Sequence, residues 1–300
     1  MENRIEISVL ICTYNHEKFI ASAIESVLDQ KCEVRFEILI GDDCSTDRTR
    51  DIIRPYYENN KGKILLVYPE KNVGVSGNIM NLVSASKGDY ITFLDGDDMW
   101  LDIHKLQKQW DVMRRNADVG MVCSYAKKWN EEKRTYEGVL GDKTVENFYE
   151  MILEDNDVAA PTLFFRKNLF EKFVSDSGWY IKNNCFFDTI MAYWFSYYSK
   201  VVFLPEELAM YRILPNSSCH ASDRRIRREY DKRYFAIKSR FLLENDVPND
   251  ITHAILLKEW DKAYDNAAWR KECEIKNSKK YRLGHRIIKL FGGFGKLRKA

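Results

Sequence analysis

The chain has 300 residues, of which 45% are hydrophobic and 31% are charged, and its formal net charge is +2 at pH 7. This length suffices for one large domain with a complete hydrophobic core, and the composition excludes wholesale disorder and collagen-like repeats. No apolar run approaches the roughly 18 residues of a membrane-spanning helix, so an integral membrane protein is not expected. The first residues carry neither a basic flank nor an apolar core, and we therefore expect no secretory signal.

Cysteines and charges are distributed unevenly along the sequence. The seven cysteines are scattered and none forms a Cys-x-x-Cys pair. This pattern argues against a disulfide framework or a zinc site, and it predicts free thiols in a reducing cytoplasm. Residues 275–300 contain nine Lys or Arg and no Asp or Glu, which leaves 38 basic and 45 acidic side chains in residues 1–274. An acidic body with a basic tail predicts either contact with phosphate groups or a solvated end.

Strands and helices alternate in the first third of the sequence. Short apolar runs of strand length are separated by segments whose apolar residues recur at helical spacing. The predicted strands are 5–12, 36–40, 64–67 and 90–94, and the predicted helices are 17–29, one beginning at Ser45-Thr46-Asp47, and 75–86. Such alternation is typical of βαβ units, so we predict an α/β fold with a mainly parallel central sheet flanked by helices.

After about residue 118 the alternation becomes less regular. Further strands are predicted at 119–125, 162–166 and 201–204, with helices at 145–153, 188–198, 224–244 and 251–273. We therefore expect one domain over residues 1–220, divided near residue 125, and a C-terminal helical extension over residues 221–300.

Three of the predicted strands end in polar segments. They are followed by Thr13-Tyr14-Asn15-His16, Gly41-Asp42-Asp43-Cys44-Ser45 and Asp95-Gly96-Asp97-Asp98. Ligands of open parallel sheets bind beyond the carboxyl ends of the strands. We therefore expect these segments to converge on one binding edge.

The last of these segments places three carboxylates within four residues, 95–98. Like charges this close repel each other, and a divalent cation such as Mg²⁺ relieves the repulsion while bridging to substrate phosphates. Gly96 permits a tight turn between them. A solvated acidic turn is the alternative for the segment taken alone. EF-hand spacing fails from both Asp95 and Asp97, and the sequence has neither a P-loop nor a glycine-rich dinucleotide motif after the first strand.

Asp42 and Asp43 follow the second strand and have two interpretations. One carboxylate here can accept a hydrogen bond from a nucleotide base or ribose. Alternatively, either acid is a helix N-terminal residue that the helix dipole stabilises. The sequence alone leaves both interpretations open.

Taken together, four segments resemble glycosyltransferase family 2 in order, spacing and strand context. They are 8–15 (SVLICTYN), 37–47 (EILIGDDCSTD), 72–74 (NVG) and 88–98 (GDYITFLDGDD). The resemblance is strong over about residues 5–125, weaker as far as His220, and ends near residue 225. It implies the Rossmann-like GT-A fold, in which residues 1–125 bind the nucleotide and residues 126–220 bind the acceptor.

The resemblance also implies which residues contact the nucleotide. Thr13 and Tyr14 would flank the base, and Asp43 would accept its N–H. Asn78 matches a position near the donor, although Gly77 stands where family members often carry Arg.

A metal site is implied in the same way. Asp95-Gly96-Asp97 matches the Asp-x-Asp motif of the family. In that motif Asp95 and Gly96 lie beside the donor, where Asp95 contacts ribose or metal. Asp97 would coordinate the Mn²⁺ or Mg²⁺ ion that is bound to the diphosphate. His220 is a further candidate ligand of the metal or the diphosphate, with a solvated loop histidine as the alternative.

The general base of the family is an acid that opens a helix in the second half of the fold. Asp188 is the candidate, although Phe187 replaces the Glu that usually precedes it. Burial among aromatic residues would raise the pKa of Asp188 toward the range useful for a base, and a helix cap is the alternative. Downstream, residues 204–212 (LPEELAMYR) resemble the strand and Tyr-Arg segment that follow the base in the family.

These features imply an inverting, metal-dependent glycosyltransferase. It would move a sugar from a nucleotide diphosphate sugar, with UDP as the favoured nucleotide, to a hydroxyl of a saccharide or lipid-linked acceptor in cell-surface polysaccharide synthesis. A non-catalytic nucleotide-sugar or anionic-surface binding protein of the same fold is the alternative, but such a protein would be expected to lose Asp97 or Asp188.

The basic tail suggests a further partner. Leu283, Ile287, Leu290 and Phe294 follow roughly helical spacing among the cations of residues 276–300. A basic amphipathic helix of this kind can bind an anionic membrane surface, which predicts a cytoplasmic protein peripheral to the membrane; a solvated or disordered end is the alternative. No nucleic-acid partner is expected, because the body is acidic and no nucleic-acid-binding module is present.

Overall fold

A computed structural model describes residues 4–141, 148–153, 158–178, 187–215, 224–245, 247–249, 251–253 and 255–257. The chain divides into two units, Met1–Pro215 and Asn216–Ala300. The first unit contains the sheet that positions the candidate site.

Nine strands form this sheet in the described part of the first unit. They are β1 (Ile7–Thr13), β2 (Phe36–Asp42), β3 (Ile64–Val67), β4 (Tyr90–Asp95), β5 (Met99–Trp100), β6 (Val119–Asn130), β7 (Thr135–Leu140), β8 (Phe164–Arg166) and β9 (Lys200–Ile213). Their order is β3-β2-β1-β4-β8-β6-β9-β5, with β7 paired to β6. Strands β1 to β4 run parallel, as do β6 and β9, whereas β8 is antiparallel to both β4 and β6. The predicted α/β class with its central sheet is thereby confirmed.

Helices connect the strands. Those described are α1 (Ile20–Leu28), α2 (Thr49–Asn59), α3 (Gly74–Ala85), α4 (Lys105–Arg115), α5 (Phe148–Leu153), α6 (Lys167–Asp176), α7 (Phe187–Tyr198) and α8 (Arg224–Glu244), together with a 3₁₀ turn at Ala160–Thr162. Every residue of β1 is buried, although successive side chains point to opposite faces of the sheet. Both faces of the sheet are therefore covered at this strand, as is usual for parallel strands.

The apolar spacing of the sequence explains how the helices pack. Helix α1 buries Ile20, Ala23, Ile24 and Val27, which form one stripe at intervals of three and four residues. This stripe belongs to the same hydrophobic core as the apolar residues of β1 and β2. The amphipathic pattern therefore fixes which face of the helix covers the sheet.

A short strand pair brings the second half of the chain to residues 95–98. Met99 lies opposite Met210, and Trp100 lies opposite Ala209, in the antiparallel pairing of β5 with β9. Because Asp98 directly precedes β5, the end of β9 lies beside the three carboxylates.

One helix begins later than the sequence predicts. Helix α2 begins at Thr49, so the predicted start at Ser45-Thr46-Asp47 is wrong by a few residues. Asp47 lies before the helix, where its carboxylate accepts the N–H of Thr49 and the N–H of Glu17, each at 3.0 Å. The acid joins two loops in addition to supporting the helix start.

The second half departs further from the prediction. Strands β6 and β9 are longer than the predicted 119–125 and 201–204, and β8 covers only the end of the predicted 162–166. Strands β5 and β7 and helices α4 and α6 were not predicted. The predicted helix at 145–153 is described from Phe148.

In the second unit, α8 matches the predicted helix at 224–244. Residues 251–253 and 255–257 are helical, and the remainder of the predicted helix 251–273 lies outside the described residues, as does the tail 276–300. None of the described helices is long and apolar enough to cross a membrane.

Candidate active site

The acidic loop, Asp95–Asp98, turns tightly at the carboxyl end of β4. The N–H of Gly96 donates to the carbonyl of Cys12 at 2.8 Å. A Cβ atom on Gly96 would lie 2.6 Å from Thr13 Oγ1 and 2.8 Å from His16 Nδ1. Glycine is required at this position because the polar end of β1 approaches the loop backbone so closely.

The carboxylates of the acidic loop are crowded and poorly solvated. Burial, together with the charges of Asp97 and Asp188, raises the pKa of Asp95 to about 7. Burial and the charges of Asp97 and Asp95 hold the pKa of Asp98 well above its usual value. Carboxylates in this state favour binding a proton or a cation.

Arg212, near the end of β9, holds the acidic loop from the second half of the sheet. Its backbone N–H donates to Asp98 Oδ1 and its Nε donates to the carbonyl of Asp97, both at 2.7 Å. Nη1 pairs with Glu131 Oε2 at 2.5 Å, and the guanidinium lies 4.5 Å from the ring centroid of Phe19. Because the Arg212 side chain is 9% exposed, these contacts fix the loop in a largely buried setting.

The end of β1 supplies the next residues of the site. Thr13 is buried, and its Oγ1 lies 3.2 Å from His16 Nδ1. His16 Nε2 lies 3.9 Å from Asp97 Oδ1, so this histidine contacts both polar strand ends. Tyr14 is 44% exposed. The structure thus brings Thr13 against the acidic loop and leaves the Tyr14 ring accessible.

Asp43 lies beside Thr13, and its own N–H donates to the Thr13 carbonyl at 3.0 Å. Its two carboxylate oxygens accept the N–H groups of Val73 and Gly74, each at 2.8 Å. These bonds support the start of helix α3, as the helix-end interpretation expects. The contact of Asp43 with a nucleotide base stays a prediction.

Asn78 and Asp42 are buried beneath this edge. Asn78 Nδ2 donates to the carbonyl of Gly41 at 2.8 Å, which holds α3 against the end of β2. Asp42 is fully buried and pairs with Arg50, whose guanidinium lies 4.7 Å from the ring centroid of Tyr68. Both side chains stabilise the binding edge, and the role of Asn78 toward the donor stays a prediction.

Asp188 lies in the first turn of α7, and its Oδ1 accepts the N–H of Thr189 at 2.8 Å. This contact with the next residue differs from a helix cap, in which the side chain accepts an N–H two or three residues further on, so the cap interpretation stays untested. The charge of Asp188 nevertheless reaches Asp95, whose pKa it raises. The structure therefore brings the predicted base within electrostatic range of the acidic loop. His220, the further candidate ligand, lies outside the described residues.

Two contributors have no role predicted from the sequence. His16 belongs to the polar segment after the first strand, and Arg212 belongs to the 204–212 segment that resembles the family. Their positions in these segments could have indicated a role at the site. The contacts of Arg212, however, depend on the pairing of strands that are distant in sequence.

Comparison with known proteins identifies the family of this chain. The model of the family described as "Glycosyl transferase family 2" matches residues 8–174, more than half of the chain. The chain belongs to glycosyltransferase family 2. It is 32% identical over 215 residues to an uncharacterized glycosyltransferase of Nostoc sp., a match that covers 70% of this chain and 65% of the relative. It is 40% identical over 120 residues to a putative teichuronic acid biosynthesis glycosyltransferase, TuaG, of Bacillus subtilis, covering 40% of this chain and 46% of TuaG.

Solved structures share the GT-A fold of this chain. TarS of S. aureus, residues 1–349 in complex with UDP-GlcNAc, superposes with a TM-score of 0.62 at 18% identity, covering 86% of this chain and 73% of TarS. The mannosyltransferase PcManGT of Pyrobaculum calidifontis, in complex with GDP-Man and Mn²⁺, gives a TM-score of 0.58 at 14% identity, covering 96% and 85% of the two chains. The chain spans about a third to two thirds of the length of the first curated relatives that it matches.

The carboxylates of the acidic loop fit a divalent cation shared with a substrate. No cluster of three or more His, Cys, Asp or Glu side chains suited to a metal occurs within the described residues. Mg²⁺ usually takes one or two protein carboxylates and completes its shell with water and phosphate oxygens. Asp95 and Asp97 can supply that pair. Asp98 Oδ2 is buried beside them without a hydrogen-bond partner in the described structure. This arrangement suits Mn²⁺ or Mg²⁺.

Proposed function

We propose that the protein is an inverting, metal-dependent glycosyltransferase. It transfers a sugar from a nucleotide diphosphate sugar, with UDP as the favoured nucleotide, to a hydroxyl of a saccharide or lipid-linked saccharide in cell-surface polysaccharide synthesis. The named activity of TuaG supports the pathway class. The UDP-GlcNAc bound to TarS and the GDP-Man and Mn²⁺ bound to PcManGT support a nucleotide-sugar donor and a divalent ion.

The observation that carries this proposal is the acidic loop at the end of β4, which Arg212 holds from β9 and which lies close enough to Asp188 for that charge to raise the pKa of Asp95. One acid belongs to the nucleotide half and the other opens a helix in the acceptor half. An inverting transferase needs this combination, because a base must activate the acceptor close to the site where the leaving group is stabilised.

In the proposed reaction, Asp188 accepts the proton of the acceptor hydroxyl as that oxygen attacks the anomeric carbon of the donor sugar. Direct displacement, with base and leaving group on opposite sides of the sugar, inverts the anomeric configuration. Asp95 and Asp97 would hold the divalent cation, which would supply Lewis-acid stabilisation for the departing nucleoside diphosphate. Arg212 fixes the backbone of the acidic loop, which orients both carboxylates before the donor binds.

Titration calorimetry with UDP tests the donor site. We expect binding that requires Mn²⁺ and that falls at least about tenfold with EDTA or in Asp97→Ala, because the diphosphate and the carboxylates share the cation. Asp118→Ala removes an exposed carboxylate from the turn before β6 and serves as the matched control. Unchanged UDP affinity in EDTA and in Asp97→Ala would contradict the proposal. Parallel titrations with GDP and dTDP test the choice of nucleotide.

We also propose that residues 276–300 bind an anionic membrane surface and place the enzyme beside lipid-linked acceptors. Nine cations and the apolar residues between them support this role. Each basic residue near such a surface contributes about 1 kcal/mol, and salt screens the attraction.

A further inference from the structure

The hairpin of β6 and β7 carries an aromatic pair that the proposed reaction does not use. Trp129 and Tyr136 lie opposite each other, with ring centroids 4.9 Å apart and ring planes at 67°. Tyr136 is 55% exposed, the largest exposed fraction of any aromatic side chain in the described part of the chain. Tyr and Trp are enriched at binding interfaces because they combine an apolar ring with a polar tip, so this pair is a candidate binding surface.

Strand register places this pair on the face that meets the acidic loop. Trp129 is the register partner of Tyr136 in β7 and of Arg212 in β9. Register partners project to the same face of a sheet, so the three side chains form one row across three strands. At about 4.8 Å between strands, Tyr136 lies roughly 10 Å along the row from Arg212. The Nε of Arg212 binds the carbonyl of Asp97, so this row leads to the acidic loop.

Hydrogen bonds connect the ring pair to the same arginine. Trp129 Nε1 donates to Glu131 Oε2 at 2.9 Å, and Arg212 Nη1 pairs with that same oxygen at 2.5 Å. Arg134 donates to the other oxygen of Glu131 at 2.6 Å. The orientation of the Trp129 ring is therefore fixed by a network that also holds the acidic loop.

The order of the strands separates this row from the nucleotide side. Strands β1 and β2 lie on one side of β4, whereas β6 and β9 lie on the other. Tyr14 and Asp43, the predicted base contacts, follow β1 and β2. A molecule on the hairpin would reach the acidic loop by way of Arg212, and not past Tyr14 or Asp43.

We propose that Trp129 and Tyr136 form a subsite for a pyranose ring of the acceptor saccharide. This inference rests on the proposed function and adds the acceptor side of the same site. A pyranose has an apolar face of C–H groups, which packs against an aromatic ring, and a rim of hydroxyl groups. Lys127 lies over one face of the Tyr136 ring, with its Nζ 5.5 Å from the ring centroid and 2.7 Å from Glu207 Oε2, where it can donate to the hydroxyl groups of a pyranose beside the ring.

Saturation-transfer NMR with the full chain, UDP and Mn²⁺ tests this subsite. The probes are cellobiose, lactose and chitobiose, which present different pyranose faces. We expect signal from at least one of them, and a loss of affinity of about tenfold or more in Tyr136→Ala. Tyr136→Phe keeps the ring and should keep binding. Thr135→Ala, at the neighbouring position whose side chain points to the other face of β7, is the control. UDP affinity should be the same in all variants.

Four outcomes would overturn the subsite while leaving the donor site established. The first is that the protein binds UDP but gives no signal with any disaccharide, and the second is that Tyr136→Ala binds the disaccharide as well as the parent does. The third is that Tyr136→Ala loses UDP affinity in parallel. The fourth is that Tyr136 is needed for association with vesicles or with a second copy of the chain, and not for saccharide binding. Failure of the parent protein to bind UDP would instead overturn the proposed function.

Discussion

Replacing Asp95 with Asn tests whether the acidic loop holds charge that the protein does not compensate. In the folded chain, burial and the charges of Asp97 and Asp188 raise the pKa of Asp95 from 3.8 to about 7. The unfolded chain releases this proton near 3.8, so the folded state binds more protons between the two values and stability falls as pH rises through that window. A shift of about three units, at about 1.4 kcal/mol per unit, destabilises the fold by about 4 kcal/mol above pH 7.

We therefore expect the free energy of unfolding of Asp95→Asn to exceed that of the parent by up to about 4 kcal/mol near pH 8, with no difference near pH 4. Urea unfolding in EDTA, followed by fluorescence and circular dichroism across this range, measures it and tests for a single transition. The control Asp118→Asn should change stability by less than about 0.5 kcal/mol. A variant no more stable than the parent at the alkaline end would refute the reasoning.

Other predictions follow from the base, the core and the tail. Asp188→Asn should lower turnover by at least about 10²-fold in a donor-hydrolysis or transfer assay while UDP affinity survives, because the amide cannot accept a proton; near-normal turnover would exclude Asp188 as base. Burial holds the pKa of Lys105 well below its usual value, so the unfolded chain binds more protons than the folded chain and stability should rise with pH up to about 10. Lys105→Met should flatten this dependence of stability on pH in urea titrations. An unchanged dependence would show that Lys105 does not cause it. The full chain should sediment with anionic vesicles at low salt and leave them at high salt, whereas a truncation after Glu274 should not bind; equal partitioning would exclude the tail as an anchor.

The nucleotide half of the fold was predictable because short stretches of its sequence specify its strands and helices. Strands β1, β2 and β4 are mostly apolar runs, since they are largely buried on both faces, and each ends in polar residues at the binding edge. At Gly96 the sequence predicted a tight turn. The structure adds that Thr13 and His16 approach this residue so closely that they leave no room for a side chain.

The second half was less predictable because its strands depend on distant partners. The pair Met99–Trp100 is too short to show any periodicity, and it forms a strand only because Ala209 and Met210 lie alongside it. Strand β9 continues through a polar stretch, which hides it from a search for apolar runs. The hydrogen bonds from Arg212 to the acidic loop depend on these strand pairings, so no local sequence pattern predicts them.

The contacts of Arg212 do not relieve the crowding of carboxylates in the acidic loop, so the pKa values of Asp95 and Asp98 stay raised. The guanidinium donates to the backbone carbonyl of Asp97, and its charge is paired with Glu131. Among the described side chains nearest the loop, His16 lies 3.9 Å from Asp97, beyond hydrogen-bond distance. The protein thus fixes the shape of the loop, and Arg212 only partly offsets the burial and the neighbouring charges that raise the pKa of Asp98. A divalent cation would neutralise the remaining repulsion between the carboxylates. Without the cation, this repulsion lowers the stability of the fold, and Asp95→Asn measures by how much.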